Sequence, residues 1–245
     1  QGQACWMAKE QGIVAGLDVA RQVFERLDPD LGWKANFEEG DAVQAGMKIV
    51  EMAGTSRALL TAERIALNFA QRMSGIATMT NAFVQRVSDL PAKILDTRKT
   101  VPGLRLLDKK AVTAGGGTNH RMGLYDLAMV KENHIKVAGG IAQAVEQVRF
   151  SHPDLRVEVE TTSLQEVEEA LSVDADIIML DNMSIKQMKK AVEVIGEQAE
   201  IEASGNITLR TVREVAETGV DFVSVGALTH SVKAFDISQQ IQKIF

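Results

Sequence analysis

The chain has 245 residues, of which 45% are hydrophobic and 24% charged, with a net charge of −6. These are the proportions of a soluble globular protein with one large or two small domains. The acidic balance gives a nucleic-acid partner no electrostatic support, no apolar run approaches the roughly 20 residues that cross a bilayer, and the single cysteine, Cys5, excludes a disulfide framework or a thiolate-rich metal site.

No charged region followed by an apolar signal core is visible, so a cytoplasmic enzyme is the expected class. The chain opens at Gln1 without a methionine and reads as a processed or truncated form. From residue 1 to about 74, short β-like runs alternate with turns and one helix. Val19 to Leu27 has helical apolar spacing, Trp33 to Phe37 alternates like a half-buried strand, Glu38 to Asp41 reads as a turn, and Lys48 to Met52 as another strand. Thr61 to about Ser88 predicts a long helix with an apolar stripe of Ile65, Ala66, Phe69, Ala70, Met73, Ile76, Ala77 and Phe83. Gly75 inside it predicts a bend or break, a joint between two domains.

Beyond Gly75 the pattern becomes regular. Short apolar runs stand at Ile94-Leu95, Leu127–Val130, Val157–Val159, Ile177–Leu180, Ile201–Ala203 and Phe222–Val225. Helical spacing fills 141–150, 164–171, 185–195 and 209–218. Ser163 with Glu166, and Ser184 with Gln187, have capping-box spacing. Strands alternating with helices indicate βα units and a parallel sheet, either an incomplete barrel or an open doubly wound sheet.

The strand ends carry the chemistry. The six runs end in Asp96-Thr97-Arg98-Lys99, Lys131, Glu160, Asp181-Asn182, Ser204-Gly205-Asn206 and Gly226-Ala227, which parallel strands would crowd onto one rim. Gly115-Gly116-Gly117-Thr118-Asn119-His120-Arg121 adds to it. Arg98, Lys99, His120, Arg121 and Lys131 would form a cationic arc, with Glu160 and Asp181 as carboxylates suited to Mg²⁺ or sugar hydroxyls. The glycine-bearing Ser204-Gly205-Asn206 loop is expected directly before a helix, where backbone N–H groups and the helix terminus favour a phosphate.

The segments AERIALNFAQRMSGIAT, ILDTRKTVPGLR, GGGTNHRMGLYD, VKENH, VEVET, LDN, ASGN and VGALTH resemble, in this order, quinolinate phosphoribosyltransferase, also called nicotinate-nucleotide pyrophosphorylase (carboxylating). The resemblance runs from about Gly12 to Phe245. It implies a type II phosphoribosyltransferase-like α/β fold: an N-terminal α/β sandwich, residues 1–74, lacking the usual leading segment and joined by a C-terminal helix over 234–245, and an incomplete, about six-stranded α/β barrel over 75–233. The implied reaction is that of a pentosyltransferase of NAD biosynthesis. Quinolinate and phosphoribosyl pyrophosphate, with Mg²⁺, give nicotinate mononucleotide, pyrophosphate and CO₂. The resemblance also implies a homodimer or higher homo-oligomer. By resemblance, Arg98, His120, Arg121 and Lys131 line the quinolinate pocket beside Thr97, with Arg64 reaching in from a partner subunit. Lys99 and Lys131 stand near the pyrophosphate and reacting centre, Glu160 and Asp181 face ribose and metal, and Ser204, Gly205, Asn206, Gly226 and Ala227 match the 5-phosphate loops.

Plainer readings stand beside these. A lone Arg or Lys is ordinarily a solvated charge. Glu160 follows Glu158 in strand alternation, so both face one side. Asp181-Asn182 would serve as an N-cap. His134, His152 and His230 read as structural or exposed, and Met122, Met129 and Met179 as core filler. A paralogue of the molybdenum-associated branch, a catalytically dead subunit, or a carrier module are the alternatives; the turn at Phe37–Gly46 resembles that of biotinyl domains, but Lys48 follows the turn instead of preceding it.

Overall fold

The computed structural model describes residues 1–244. The chain divides into two compact units. One comprises Gln1–Ala82, Thr100–Gly117 and the chain from Ala227 onward; the other comprises Phe83–Lys99 and Thr118–Gly226. Among the described residues, no helix is long and apolar enough to cross a membrane.

In the first unit the elements run β1 (Gly2–Ala8), β2 (Gly12–Ile13), α1 (Leu17–Glu25), β3 (Gly32–Ala35), β4 (Ala42–Val43), β5 (Lys48–Gly54) and α2 (Ser56–Arg86), whose last turn enters the second unit. Four antiparallel strands pair in the order β12-β1-β5-β3, where β12 is Ile237–Ile244. The core beneath them centres on Trp6, Phe24 and Trp33, with ring centroids 5.8–6.1 Å apart. The Glu38–Asp41 turn serves a helix end. Its Glu39 accepts the Gly16 and Leu17 N–H groups, both at 2.7 Å, and so caps α1 from outside. Lys48, the lysine weighed against a carrier module, lies in β5 and pairs with Glu51 at 3.2 Å.

The helix expected over 234–245 is strand β12 up to Ile244, and Phe245 lies outside the described residues. Ile237, Ile241 and Ile244 have helical spacing of four and three. A bulge opposite Gln3/Ala4 skips Gln242, which keeps Ile237, Ile241 and Ile244 on one face of a strand. Pairing with the free edge of β1 decides the matter. Gln239 accepts the Trp6 indole N–H at 2.9 Å and donates to Leu59 O at 2.8 Å.

Helix α2 is continuous through Gly75. The glycine is there for close approach: a Cβ would lie 2.1 Å from the backbone O of Lys233 and 3.2 Å from Phe235 N. Its buried stripe uses Ala62, Ala66, Leu67, Ala70 and Met73, whereas Ile65 is exposed. Arg72 on α2 grips the buried Asp108 of α3 (Arg105–Ala114) with two hydrogen bonds of 2.8 Å.

In the second unit six parallel strands follow one another: β6 (Lys93–Leu95), β7 (Ala128–Val130), β8 (Val157–Thr161), β9 (Ile177–Asp181), β10 (Glu200–Ser204) and β11 (Phe222–Ser224). Their spatial order is β6-β11-β10-β9-β8-β7. A doubly wound sheet reverses outward from its first strand. Here the order is cyclic and broken only between β6 and β7, so the sheet is an incomplete barrel. The β6–β7 connection is the one whose helix, α3, belongs to the first unit. Helices α4 (Glu132–Ala138), α5 (Ile141–Ser151), α6 (Leu164–Ser172), α7 (Ile185–Ile195) and α8 (Val212–Ala216) link the others. Ser184 and Gln187 close a reciprocal capping box on α7. At α6 only half of it forms: Ser163 accepts from Glu166 N, while the Glu166 carboxylate takes the Thr162 N–H. His134 accepts the Lys131 N–H at 3.0 Å and caps α4, which is a structural role.

An exposed helical glycine gains about 1 kcal/mol of stability on becoming alanine. Gly75→Ala should lose stability instead, by about 1–3 kcal/mol, because a rigid backbone blocks the new methyl group. Urea denaturation of the two proteins measures the sign.

Candidate active site

Parallel register sets the carboxyl ends of β6 to β11 on one rim. Thr97, Arg98 and Lys99 follow β6, Lys131 follows β7, Glu160 and Asp181 close β8 and β9, Ser204-Gly205-Asn206 follows β10, and Gly226 comes two residues after β11. The second unit therefore brings together the expected rim residues. Arg64 and Ala227 belong to the first unit. Arg64 is exposed on α2, and Ala227 opens α9 (Ala227–His230).

Beneath the rim lies a buried cluster. His120 Nε2 stands 3.0 Å from a carboxylate oxygen of Glu158 on β8 and 3.2 Å from one of Glu202 on β10, with the three side chains 6%, 0% and 1% exposed. Asp96 accepts the His120 backbone N–H at 2.9 Å. His120 Nδ1 accepts the Arg121 N–H at 2.7 Å, so the ring's own proton sits on Nε2, facing the carboxylates. Burial pulls the imidazole pKa down, but the two carboxylates outweigh it and raise it to about 9. Burial pushes Glu158 up as well, and the charge of Glu202 adds to that. The titrations of His120 and Glu158 are linked, since each is the other's partner.

Arg121 is buried, and its guanidinium donates to Leu127 O at 3.0 Å. Burial lowers its pKa, and the nearby charge of Arg98 lowers it further. Lys131 pairs with Glu160 on the half-buried rim. The Asn182 amide donates to Asp181 at 2.8 Å and accepts from the Asn206 amide at 2.9 Å, tying the ends of β9 and β10 together. Asn182 and Asn206 both have φ of +54°, which asparagine tolerates well. Gly205 has φ of +97°, and a Cβ there would lie 2.3 Å from Asn182 Oδ1, so only glycine lets this loop close on its neighbour.

Two expectations need correction. Ser204-Gly205-Asn206 does not open a helix: the next one, α8, begins at Val212 and has five residues, so an anion there meets loop N–H groups without a helix terminus. The N-cap of α7 is Ser184, which frees Asp181-Asn182 from that duty. Single-residue patterning does not single out Glu202, and it marks Glu158 only as the neighbour of Glu160 on one face of β8. Their signal is acidic alternation, Val-Glu-Val-Glu and Glu-Ile-Glu-Ala, inside strands whose other face is apolar.

A six-stranded open barrel with a cationic, glycine-bearing rim defines a barrel enzyme for small polyanions. The chain belongs to the quinolinate phosphoribosyl transferase family: residues 1–74 match its N-terminal domain and residues 76–240 its C-terminal domain. It is 48% identical over 245 residues to the probable nicotinate-nucleotide pyrophosphorylase [carboxylating] of Synechocystis sp., covering 98% of this chain and 83% of that one. It is also 48% identical over 258 residues to the chloroplastic nicotinate-nucleotide pyrophosphorylase [carboxylating] of Arabidopsis thaliana, covering 98% and 74%. The solved nicotinate-nucleotide pyrophosphorylase of Francisella tularensis superposes with a TM-score of 0.96 at 44% identity, over 98% of this chain and 86% of that one.

The cluster makes stability depend on pH. The folded protein keeps until about pH 9 a proton that an unfolded histidine releases near 6.5. This contribution is therefore fully present below about pH 6.5 and is lost as pH rises through about 9. Urea midpoints should fall over that interval, and His120→Gln should flatten the slope.

Proposed function

We propose that this chain is a quinolinate phosphoribosyltransferase, a pentosyltransferase of NAD biosynthesis that works in the cytoplasm as a homodimer or higher homo-oligomer with Mg²⁺. The observation that carries the reading is Arg121, a buried guanidinium held beside a second one, Arg98. Two such charges are brought together out of water at a cost that a ligand with several negative charges offsets. Quinolinate, with adjacent carboxylates, is such a ligand, and the family supplies its name.

In this reading Arg98, Arg121 and Lys131 hold the two carboxylates, with His120 behind Arg121 and Thr97 at the mouth. The pyridine nitrogen displaces pyrophosphate at C1 of the ribose, where positive charge develops and the rim carboxylates Glu160 and Asp181 stabilise it. Lys99, exposed on the rim, meets the departing pyrophosphate. The loops at Ser204-Gly205-Asn206 and Gly226-Ala227 receive the 5-phosphate through backbone N–H groups. The C2–carboxylate bond then breaks. Its electron pair is left beside the cationic ring nitrogen, and C2 takes up a proton.

The residues fit a magnesium ion carried in with its substrate. Glu160 is already paired with Lys131, and Asp181 with Asn182, so neither forms a standing cage. Mg²⁺ is commonly held by one or two carboxylates together with substrate phosphates and water. Bound there, it would neutralise charge on the leaving group.

The assay is formation of nicotinate mononucleotide from quinolinate, phosphoribosyl pyrophosphate and Mg²⁺, with nicotinate as the control acceptor. Quinolinate should be far the better acceptor. Arg121→Ala should weaken its use by about 2–5 kcal/mol, the usual cost of removing one partner of a buried charge pair. Use of phosphoribosyl pyrophosphate should hardly change. Equal loss of both ligands would count against the assignment.

Arg64 extends this reading to assembly. It is exposed on α2 between Leu60 and Ile65, 62% and 55% exposed, an apolar and cationic face suited to a second copy. In a two-fold pair each subunit lends the same residue. Mixing Arg64→Ala with Lys131→Ala chains should restore activity to at most about a quarter of the parent's, since half the randomly mixed dimers carry one intact site each. No recovery despite proven subunit exchange would show that Arg64 does not act across subunits.

A further inference from the structure

Both ring nitrogens of His120 are engaged inside the protein. Nε2 faces Glu158 and Glu202, and Nδ1 takes the backbone N–H of Arg121. The ring is thus a link between two buried carboxylates and the backbone that carries the buried arginine. The remaining charged groups around it are Asp96, which holds its backbone N–H, and the cations Arg98, Arg121 and Lys131, whose charges act on one another or on Glu158. Arg98 repels Arg121, while Glu158 and, less strongly, Asp126 attract it. Glu158 beneath the rim is the larger of the two negative charges that act on Arg121.

We propose that Glu158 and Glu202 are positioning residues for the acceptor: through His120 they fix the Arg121 backbone, and the charge of Glu158 holds Arg121 beside Arg98 before the acceptor arrives. This rests on the acceptor site described above. It gives a role to two buried carboxylates that the acceptor reading leaves unassigned. Shape alone does not fill that role. Glutamine at either position would still accept the Nε2 proton while removing the countercharge.

The test uses the full chain with Glu158→Gln, Glu202→Gln and both changes together. The double variant should raise the quinolinate KM about tenfold or more, while the KM for phosphoribosyl pyrophosphate moves less than about twofold. Thermal stability is the control. Removing one partner of a buried charge pair ordinarily destabilises a fold, so Tm is read beside KM to separate loss of stability from loss of acceptor binding. A double variant with a lower Tm and the parent's quinolinate KM would overturn the proposal, since it would show a merely structural role. Should the double variant fail to fold, Glu202→Gln alone carries the same readings. Nitrogen-15 NMR of the His120 ring, recorded without substrates, supplies a reading independent of turnover. The parent should show a proton on Nε2 and an acceptor at Nδ1, and a ring of ordinary mixed tautomers titrating near 6.5 would overturn the link. A parent chain with that NMR signature but no turnover of quinolinate would overturn the proposed activity and the acceptor assignment with it. Turnover with an ordinary ring would overturn this inference alone.

Discussion

The chemistry of this barrel depends on negative charge buried beneath positive charge. Arg98, Arg121 and Lys131 share one rim, and like charges at short range in a partly dry site repel one another strongly. Glu158 and Glu202 lie below them, buried and held to His120. Held against these carboxylates, His120 keeps a proton that a free imidazole would release. The outcome is a site with fixed positive charge on top and a proton-balanced negative layer underneath. Neither layer is tolerable without the other.

Strand order makes the layering possible. Glu160 on β8 and Glu202 on β10 are both in register with Met179 on β9, while Glu158 stands level with Ile177 one pair lower. Alternate residues of these parallel strands therefore point to the same side at defined heights. The cyclic order with a gap between β6 and β7 leaves β6 beside β11, and the isolated bridge from Leu95 to Thr118 starts the approach to His120 along that side. Residues far apart in the chain, 120, 158 and 202, meet because three separate segments each turn one side chain into the same buried cluster.

Much of this was legible in the sequence. The six strands, their parallel direction and the cationic arc at their ends follow from apolar runs spaced by helices, and the motifs DTRKT, GGGTNHR and VKENH point to the family. The choice between barrel and doubly wound sheet was not legible, because periodicity gives each strand's faces and not its neighbour. The helix over the last segment was an implication of the resemblance; pairing with the edge of β1, where one bulge keeps Ile244 on the face of Ile237 and Ile241, makes that segment a strand. Gly75 was legible as special, but whether it breaks a helix or admits Lys233 is a tertiary fact. Glu202 was passed over because a glutamate in a strand ordinarily means an exposed face; burial inside a barrel reverses that meaning.

The contrast between Glu158 and Glu160 shows how little separates a structural charge from a chemical one. They share a strand, a face and a side chain, and two residues of β-rise set them only about 6.6 Å apart. The upper one reaches the half-buried rim and pairs with the partly exposed end of Lys131. Such a pair, partly open to water, can exchange partners with an incoming charged group at small cost. The lower one is sealed against His120 and has no solvent to replace its partner, so opening it would strand a charge in a dry interior. Depth along one strand thus decides which carboxylate can exchange partners during a reaction and which must keep them.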